Sequence, residues 1–273
     1  MTADQPGSAR TATSFDIGRE AWLARLGNLR NVTRQELVTR QLARHLPPPP
    51  ARVLDVGAGQ GTQALRLAAL GYDVLAADPD PRMRDALSEG ISLLPPAPGF
   101  IHVVAGGLGA LPPEATVTPY DVVLCQGVLM YLPDAEPALA ELARLVGPGG
   151  LLSLVFRNAE GIALRPALRR DWAEAVNLLD SMADRSPLYR NEIGVLARAD
   201  RLEDIEETLA AQGLVTEAWY GVRIATDGAD ADEAPPSDPA ELEAMLTAED
   251  RLGSTDPYRR VATLAHLLSR RPG

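Results

Sequence analysis

The sequence predicts an α/β fold built on a parallel sheet. Short apolar runs alternate along the chain with amphipathic segments of helical period, the pattern of βαβ units. A glycine-rich turn follows the first apolar run, and an acid closes the second. The 273 residues, 46% hydrophobic and 4% aromatic, suffice for one large α/β domain or for a core with a smaller appendage.

Residues 1–13 are rich in Ser, Thr and Ala and read as a flexible tail. Residues 14–50 form a helical cap, in which Leu37, Val38, Leu42, His45 and Leu46 recur at helical spacing until Pro47-Pro48-Pro49-Pro50 stops the helix. The core, 51–157, holds strands at 52–56, 72–77, 100–105, 120–125 and 151–156. Helices at 62–70, 81–89 and 135–146 separate them, the last with Ala135, Ala138, Leu139, Leu142 and Leu145 on one face. Gly147-Pro148-Gly149-Gly150 is expected to end that helix in a turn. Residues 158–200 are irregularly helical and arginine-rich, an insertion over one end of the sheet. Within 201–273, Leu202, Ile205 and Leu209 mark a helix, 214–221 a sixth strand and 227–240 an acidic loop without a basic residue. The pattern of 258–271 fits strand or helix.

The formal net charge is −11, and every Lys+Arg position is arginine. Without lysine, Schiff-base enzymes, pyridoxal-phosphate enzymes and lysine-bearing P-loop nucleotide-triphosphatases are excluded. The acidic balance argues against DNA and other broad non-specific nucleic-acid binding. His45, His102, His266 and the single Cys125 are too few and too scattered for a metal site or a disulfide, and Cys125 reads as inert core. With no run of about 20 apolar residues and no apolar leader, no membrane association is expected, and the chain reads as cytoplasmic.

Val53-Leu54-Asp55-Val56-Gly57-Ala58-Gly59-Gln60-Gly61 places glycines at a strand-to-helix turn, where backbone approaches a ligand without Cβ interference. Asp78 ends the next strand, where a carboxylate accepts both hydroxyls of a ribose. The pair reads as a nucleoside site at the carboxyl edge of the sheet. A nicotinamide dinucleotide fingerprint requires its third glycine one residue later, where Thr62 stands, so an oxidoreductase loses on spacing.

The run from Val53 to Gly61, with Asp78, residues 120–124 and residues 145–152, resembles class I S-adenosylmethionine-dependent methyltransferases over about residues 34–225. That resemblance implies a Rossmann-like, seven-stranded, mostly parallel sheet with helices on both faces. Arg34-Gln35-Glu36-Leu37, the segment 152–161, Gly221-Val222-Arg223-Ile224 and Asp256-Pro257-Tyr258 are similar to the bacterial tRNA 5-carboxymethoxyuridine methyltransferase family. By these resemblances S-adenosyl-L-methionine is the cofactor, held by Arg34, Asp55, Gly57, Ala58, Gly59, Asp78, Pro79, Gly107, Leu108 and Gln126, and His266 belongs to a final strand. The chain departs from the second family at Ala105-Gly106-Gly107-Leu108, where relatives carry an acid, at Arg157, where they carry an aromatic residue, and at 183–199, where arginines mixed with acids replace a lysine-rich loop.

Methyl transfer from a sulfonium is an in-line displacement that depends on positioning, and a carboxylate is a nucleophile already ionised at pH 7. No catalytic acid or base is therefore required. His45 is the one candidate base, and on the apolar stripe of its helix it also reads as a packed side chain. Arg157, Asn158 and Arg223 end strands at the ligand-binding edge, so an arginine pair would orient an acceptor carboxylate beside Tyr131. The expected acceptor is a modified wobble uridine of tRNA or a small acidic metabolite. A nucleoside-binding module without catalysis is the reading from another class.

Overall fold

The computed structural model describes residues 25–96, 98–182, 187–191 and 194–273. The expected tail and the first part of the cap lie outside the described residues. The elements are α1 (Leu29–Ala43), β1 (Arg52–Val56), α2 (Thr62–Ala69), β2 (Asp73–Asp78), α3 (Pro81–Leu93), β3 (Phe100–Ala105), α4 (Pro113–Thr116), β4 (Tyr120–Gln126), α5 (Glu136–Leu145), β5 (Val146–Arg157), α6 (Leu164–Leu168), α7 (Trp172–Ser181), β6 (Leu188–Arg190), β7 (Leu196–Arg198), α8 (Leu202–Ala211), β8 (Val215–Val222), α9 (Pro239–Gly253) and β9 (Leu264–Arg270).

One seven-stranded sheet runs β3-β2-β1-β4-β5-β9-β8. β1 to β5 pair parallel, and β9 lies antiparallel between β5 and β8. This is the Rossmann-like, mostly parallel sheet that the resemblance implies. The tail that fitted strand or helix is the strand β9, with His266 inside it.

Alternation of side chains along each strand divides the core into two layers. Val53, Val122, Leu124, Leu151 and Leu268 pack beneath Leu42 of α1, Ala64 and Leu67 of α2, and Leu87 of α3. Leu54, Val123, Leu152, Leu154 and Leu267 pack beneath Leu139 and Leu142 of α5 and Leu202, Ile205 and Leu209 of α8. Truncating a fully buried residue such as Leu142 to alanine is expected to cost about 2–5 kcal/mol.

Local chemistry sets most boundaries. Asn28 caps α1 by accepting from Asn31 N, and Asp80 caps α3 ahead of Pro81. α1 starts five residues before the expected 34 and stops at Ala43, so His45 and Leu46 lie beyond it. Three further expectations are corrected. Gly147-Pro148-Gly149-Gly150 belongs to β5, where register jumps from Tyr120↔Val146 to Val122↔Leu151, because Gly149 N and the Gly150 carbonyl bond to Arg271. Among the described residues the insertion is helical in α6 and α7, and β6 and β7 pair as an antiparallel ribbon. Asp238 and Pro239 start a 15-residue helix, α9, for which the sequence reading had no element.

Candidate functional site

The glycine turn joins β1 to α2 at the carboxyl edge of the sheet. Gly57 and Gly61 adopt φ of +75° and +85°, in the left-handed region, and a Cβ on either would overlap Val128 or Leu87. Gly61 is also the N-cap of α2 and supplies no side chain to its first turn, so N–H groups there remain for a ligand. Gly57 N and Ala58 N donate to the Ala77 carbonyl at 2.8 and 3.1 Å, which ties the turn to the end of β2.

Asp78 is 6% exposed and fixed by two backbone donors, Gly59 N to Oδ2 and Asp80 N to Oδ1, both at 2.8 Å. Each oxygen keeps a further lone pair, the capacity a vicinal diol requires. Burial pushes its carboxyl up, against the pull of those two donors. Asp55, 4% exposed, is pushed up to about 7 by burial and then by the charge of Asp78. The loop after β3 closes one wall, with Gly106 N donating to the Asp78 carbonyl and a Cβ position on Gly107 lying 3.3 Å from Pro79. Leu108 packs on the α5 side of the core. Asp55, Gly57, Ala58, Gly59, Asp78, Pro79, Gly107 and Leu108 thus converge on one turn.

Gln126 ends β4 beside this turn and donates from Nε2 to Ser153 Oγ at 3.1 Å. Arg34 reaches from α1 to the same edge, its Nη1 3.6 Å from the Cβ position of Gly127. Tyr131 lies in the one-turn helix Leu129–Tyr131, its hydroxyl 3.5 Å from Asn191 Nδ2 of the insertion. These residues would suit a nucleoside with a charged tail: a diol acceptor at Asp78, an apolar wall at Pro79 and Leu108, a carboxyl group at Asp55 and a positive charge at Arg34.

The second half of the site is an arginine cluster that the sequence reading resolved only in part. Arg157, 5% exposed, lies with its guanidinium 4.8 Å over the ring of Tyr189. Among the described residues no acceptor meets its buried Nε. Arg223, at φ +65°, pairs with Asp227, itself 3% exposed. Burial would push Asp227 up, but the charges of Arg223, Arg157 and Arg165 and a hydrogen bond from Thr263 hold it at about 2. Three arginines therefore act on one carboxylate at the ends of β5 and β8, where the buried Glu249 accepts from Ile224 N and Thr226 N.

Asp227 begins the expected acidic loop, and the structure buries it against arginine. Asn158 is also not available to a ligand: its Nδ2 donates to the Arg260 and Ala262 carbonyls and its Oδ1 accepts from Glu160 N. It latches β5 to the turn before β9. His45 lies with Glu217, Tyr220 and Arg270 near the amino edge of the sheet, its ring bonded to Glu217 Oε1 at 2.6 Å and Tyr220 OH at 2.8 Å. The structure gives it no path to the glycine turn. Cys125 is fully buried, and burial pushes its thiol up. Arg198, missed in the sequence, pairs with Asp200 and donates to the Leu129 and Leu132 carbonyls, pinning the ribbon beside Tyr131.

Residues 54–154 match the family described as a methyltransferase domain. The tRNA 5-carboxymethoxyuridine methyltransferase of Escherichia coli K12 is 32% identical over 146 residues, covering 50% of this chain and 53% of that protein. A ubiquinone biosynthesis O-methyltransferase of Rhizobium johnstonii is 30% identical, covering 60% of this chain and 59% of that one. The chain spans somewhat over half the length of these curated relatives. Among solved structures, magnesium protoporphyrin IX methyltransferase of Synechocystis PCC 6803 with bound SAH superimposes with a TM-score of 0.61 at 18% identity, over 93% of this chain and 94% of that one. Among the described residues no helix is long and apolar enough to cross a membrane.

Proposed function

We propose that this protein is an S-adenosylmethionine-dependent O-methyltransferase whose acceptor is a carboxylate. The methyltransferase domain and the diol-accepting Asp78 support the cofactor. The two buried arginines Arg157 and Arg223 at the same sheet edge support the acceptor, and this single observation carries the reading. Strands lie about 4.8 Å apart, so β5 stands roughly 10 Å from β1, a nucleoside's width from the glycine turn.

Bound S-adenosylmethionine supplies an electrophilic methyl group on a sulfonium. Asp78 accepts the ribose hydroxyls, and Arg34 and Asp55 meet the carboxylate and ammonium of the methionine end. Arg157 and Arg223 orient the acceptor carboxylate, with Arg157 held flat by Tyr189 and Tyr131 closing the space between the halves. Removing water from this space strengthens each of these charge contacts. The acceptor is ionised near neutral pH and needs no base. A phenol would need one, and the two histidines described above offer none: His45 is tied up at the amino edge and His266 is buried.

The carboxylate of a modified wobble uridine is one acceptor, supported by the Escherichia coli relative. A small organic acid is the other, supported by a net charge of −11 and the absence of lysine. Calorimetry with S-adenosylhomocysteine tests the cofactor, and transfer of labelled methyl to bulk tRNA and to a panel of free acids tests the acceptor. Activity on tRNA that falls steeply with salt selects the first. Activity on free acids that persists in salt selects the second. Cofactor binding without turnover on any acid or RNA would leave a nucleoside-binding module and overturn the enzymatic reading.

A further inference from the structure

A chain of buried polar side chains crosses the α1 face of the sheet behind the cofactor turn. Gln126 Nε2 lies 3.1 Å from Ser153 Oγ, Ser153 Oγ 2.9 Å from His266 Nε2, and His266 Nδ1 2.8 Å from Gln41 Oε1. Ser153, His266 and Gln41 have at most 0% relative exposure, in a layer otherwise filled by leucine and valine. Their three strands and one helix are brought together from positions up to 225 residues apart.

Directionality runs through the chain from its far end. Gln41 Nε2 faces the Gly221 carbonyl at 3.5 Å, and a carbonyl only accepts. The amide nitrogen of Gln41 therefore points there, and its oxygen points to His266. An oxygen at Nδ1 requires the Nδ1–H tautomer, which leaves Nε2 with a lone pair. Ser153 must then donate to Nε2, so its oxygen accepts from Gln126 Nε2. Gln126, the last residue of β4, is left with its carbamoyl oxygen unused by Ser153. Burial, with the charge of His45, holds the His266 ring at about 3, so it stays neutral and the chain keeps one polarity near neutral pH.

We infer that Ser153, His266 and Gln41 are positioning residues that set the orientation of the Gln126 amide, presenting an acceptor oxygen to the cofactor side of the site. The inference rests on the proposed cofactor. It explains why a neutral histidine and a serine occupy strand positions where apolar residues would pack with no hydrogen bonds to satisfy.

The tautomer is read directly in the free protein. With only three histidines in the chain, ¹⁵N spectra of the labelled rings resolve His266, and a protonated Nδ1 with a bare Nε2 is expected from pH 6 to 8. A protonated Nε2 would overturn the inference. Calorimetry with S-adenosylhomocysteine supplies the second readout. Ser153→Ala cuts the chain with the loss of one oxygen and should weaken binding about tenfold, the worth of one oriented hydrogen bond, while the variant stays folded with an unfolding midpoint lowered by the unpaired His266 Nε2. Ser153→Thr restores a hydroxyl on a strand and should recover most of that loss. Gln41→Glu, three links away, places a carboxylate at Nδ1, favours a protonated ring and reverses the chain, and should weaken binding as much as Ser153→Ala. Wild-type binding with both variants unchanged overturns the positioning role alone. No binding by the wild-type protein overturns the cofactor assignment and this inference with it.

Discussion

Replacing Asp55 by asparagine should flatten the pH dependence of the protein's stability. Asp55 faces the α1 side of β1 at 4% exposure, and its carboxyl rises from 3.8 to about 7 through burial and then the charge of Asp78. A raised carboxyl reverses the usual sign. The unfolded chain gives up this proton near 3.8 and the folded chain near 7, so the contribution is complete at low pH and lost as pH rises between the two values. A gap of about three pH units corresponds to ~4 kcal/mol, of which about 2–3 kcal/mol falls between pH 5 and pH 8. Urea unfolding of wild type and Asp55→Asn, both without cofactor, at those two values measures it. Contributions from other groups largely cancel in the difference between the proteins. The wild type should lose about 2–3 kcal/mol more than the variant on going to the higher pH. Parallel pH profiles, or equal destabilisation of the variant at both values, would refute the reasoning.

Three further outcomes are expected. Asp227→Asn leaves Arg157 and Arg223 buried without their counter-charge and should cost about 3–5 kcal/mol by urea unfolding. The wild-type carboxylate, held at about 2, stabilises the fold above its ordinary 3.8 and loses that effect as pH falls toward 2, so acid unfolding of the variant should lack this component. Gly57→Ala forces a Cβ into Val128 at a positive φ and should lower stability by about 2 kcal/mol and abolish cofactor binding, read by calorimetry. Arg157→Lys removes the planar contact with Tyr189 and should raise the acceptor KM about tenfold while leaving S-adenosylhomocysteine affinity unchanged. An altered cofactor affinity with an unchanged KM would show that Arg157 serves the other half of the site.

The cofactor half was legible because its signals are local. The turn at Gly57 to Gly61, Asp78 at the end of the next strand and Pro79 beside it lie within one βαβ unit, so spacing along the chain is nearly spacing in the fold. The proposed acceptor half was legible only in outline. Arg157 and Arg223 stand at strand ends in the sequence pattern, but Asp227 reads as one acid among many in an acidic loop, and Asn158 reads as a ligand. Composition cannot distinguish a carboxylate in water from one beneath three arginines. The Gly147-Pro148-Gly149-Gly150 turn misled for a similar reason: glycine and proline end helices, yet here they form a bulge because Arg271, far along the chain, accepts and donates there.

Periodicity, turn chemistry and glycine spacing by themselves determined the α/β class, the strands β1 to β4 with the second half of β5, and a glycine turn with a carboxylate at the end of the next strand. Each depends on which face of an element is apolar or which φ a residue tolerates, properties written within a few residues. Only the tertiary structure decided the partners: Asp227 with Arg223, Tyr189 over Arg157, and Gln41 against His266. Periodicity records that a position faces inward but not what lies opposite, and that pairing depends on how β9 inserts between β5 and β8.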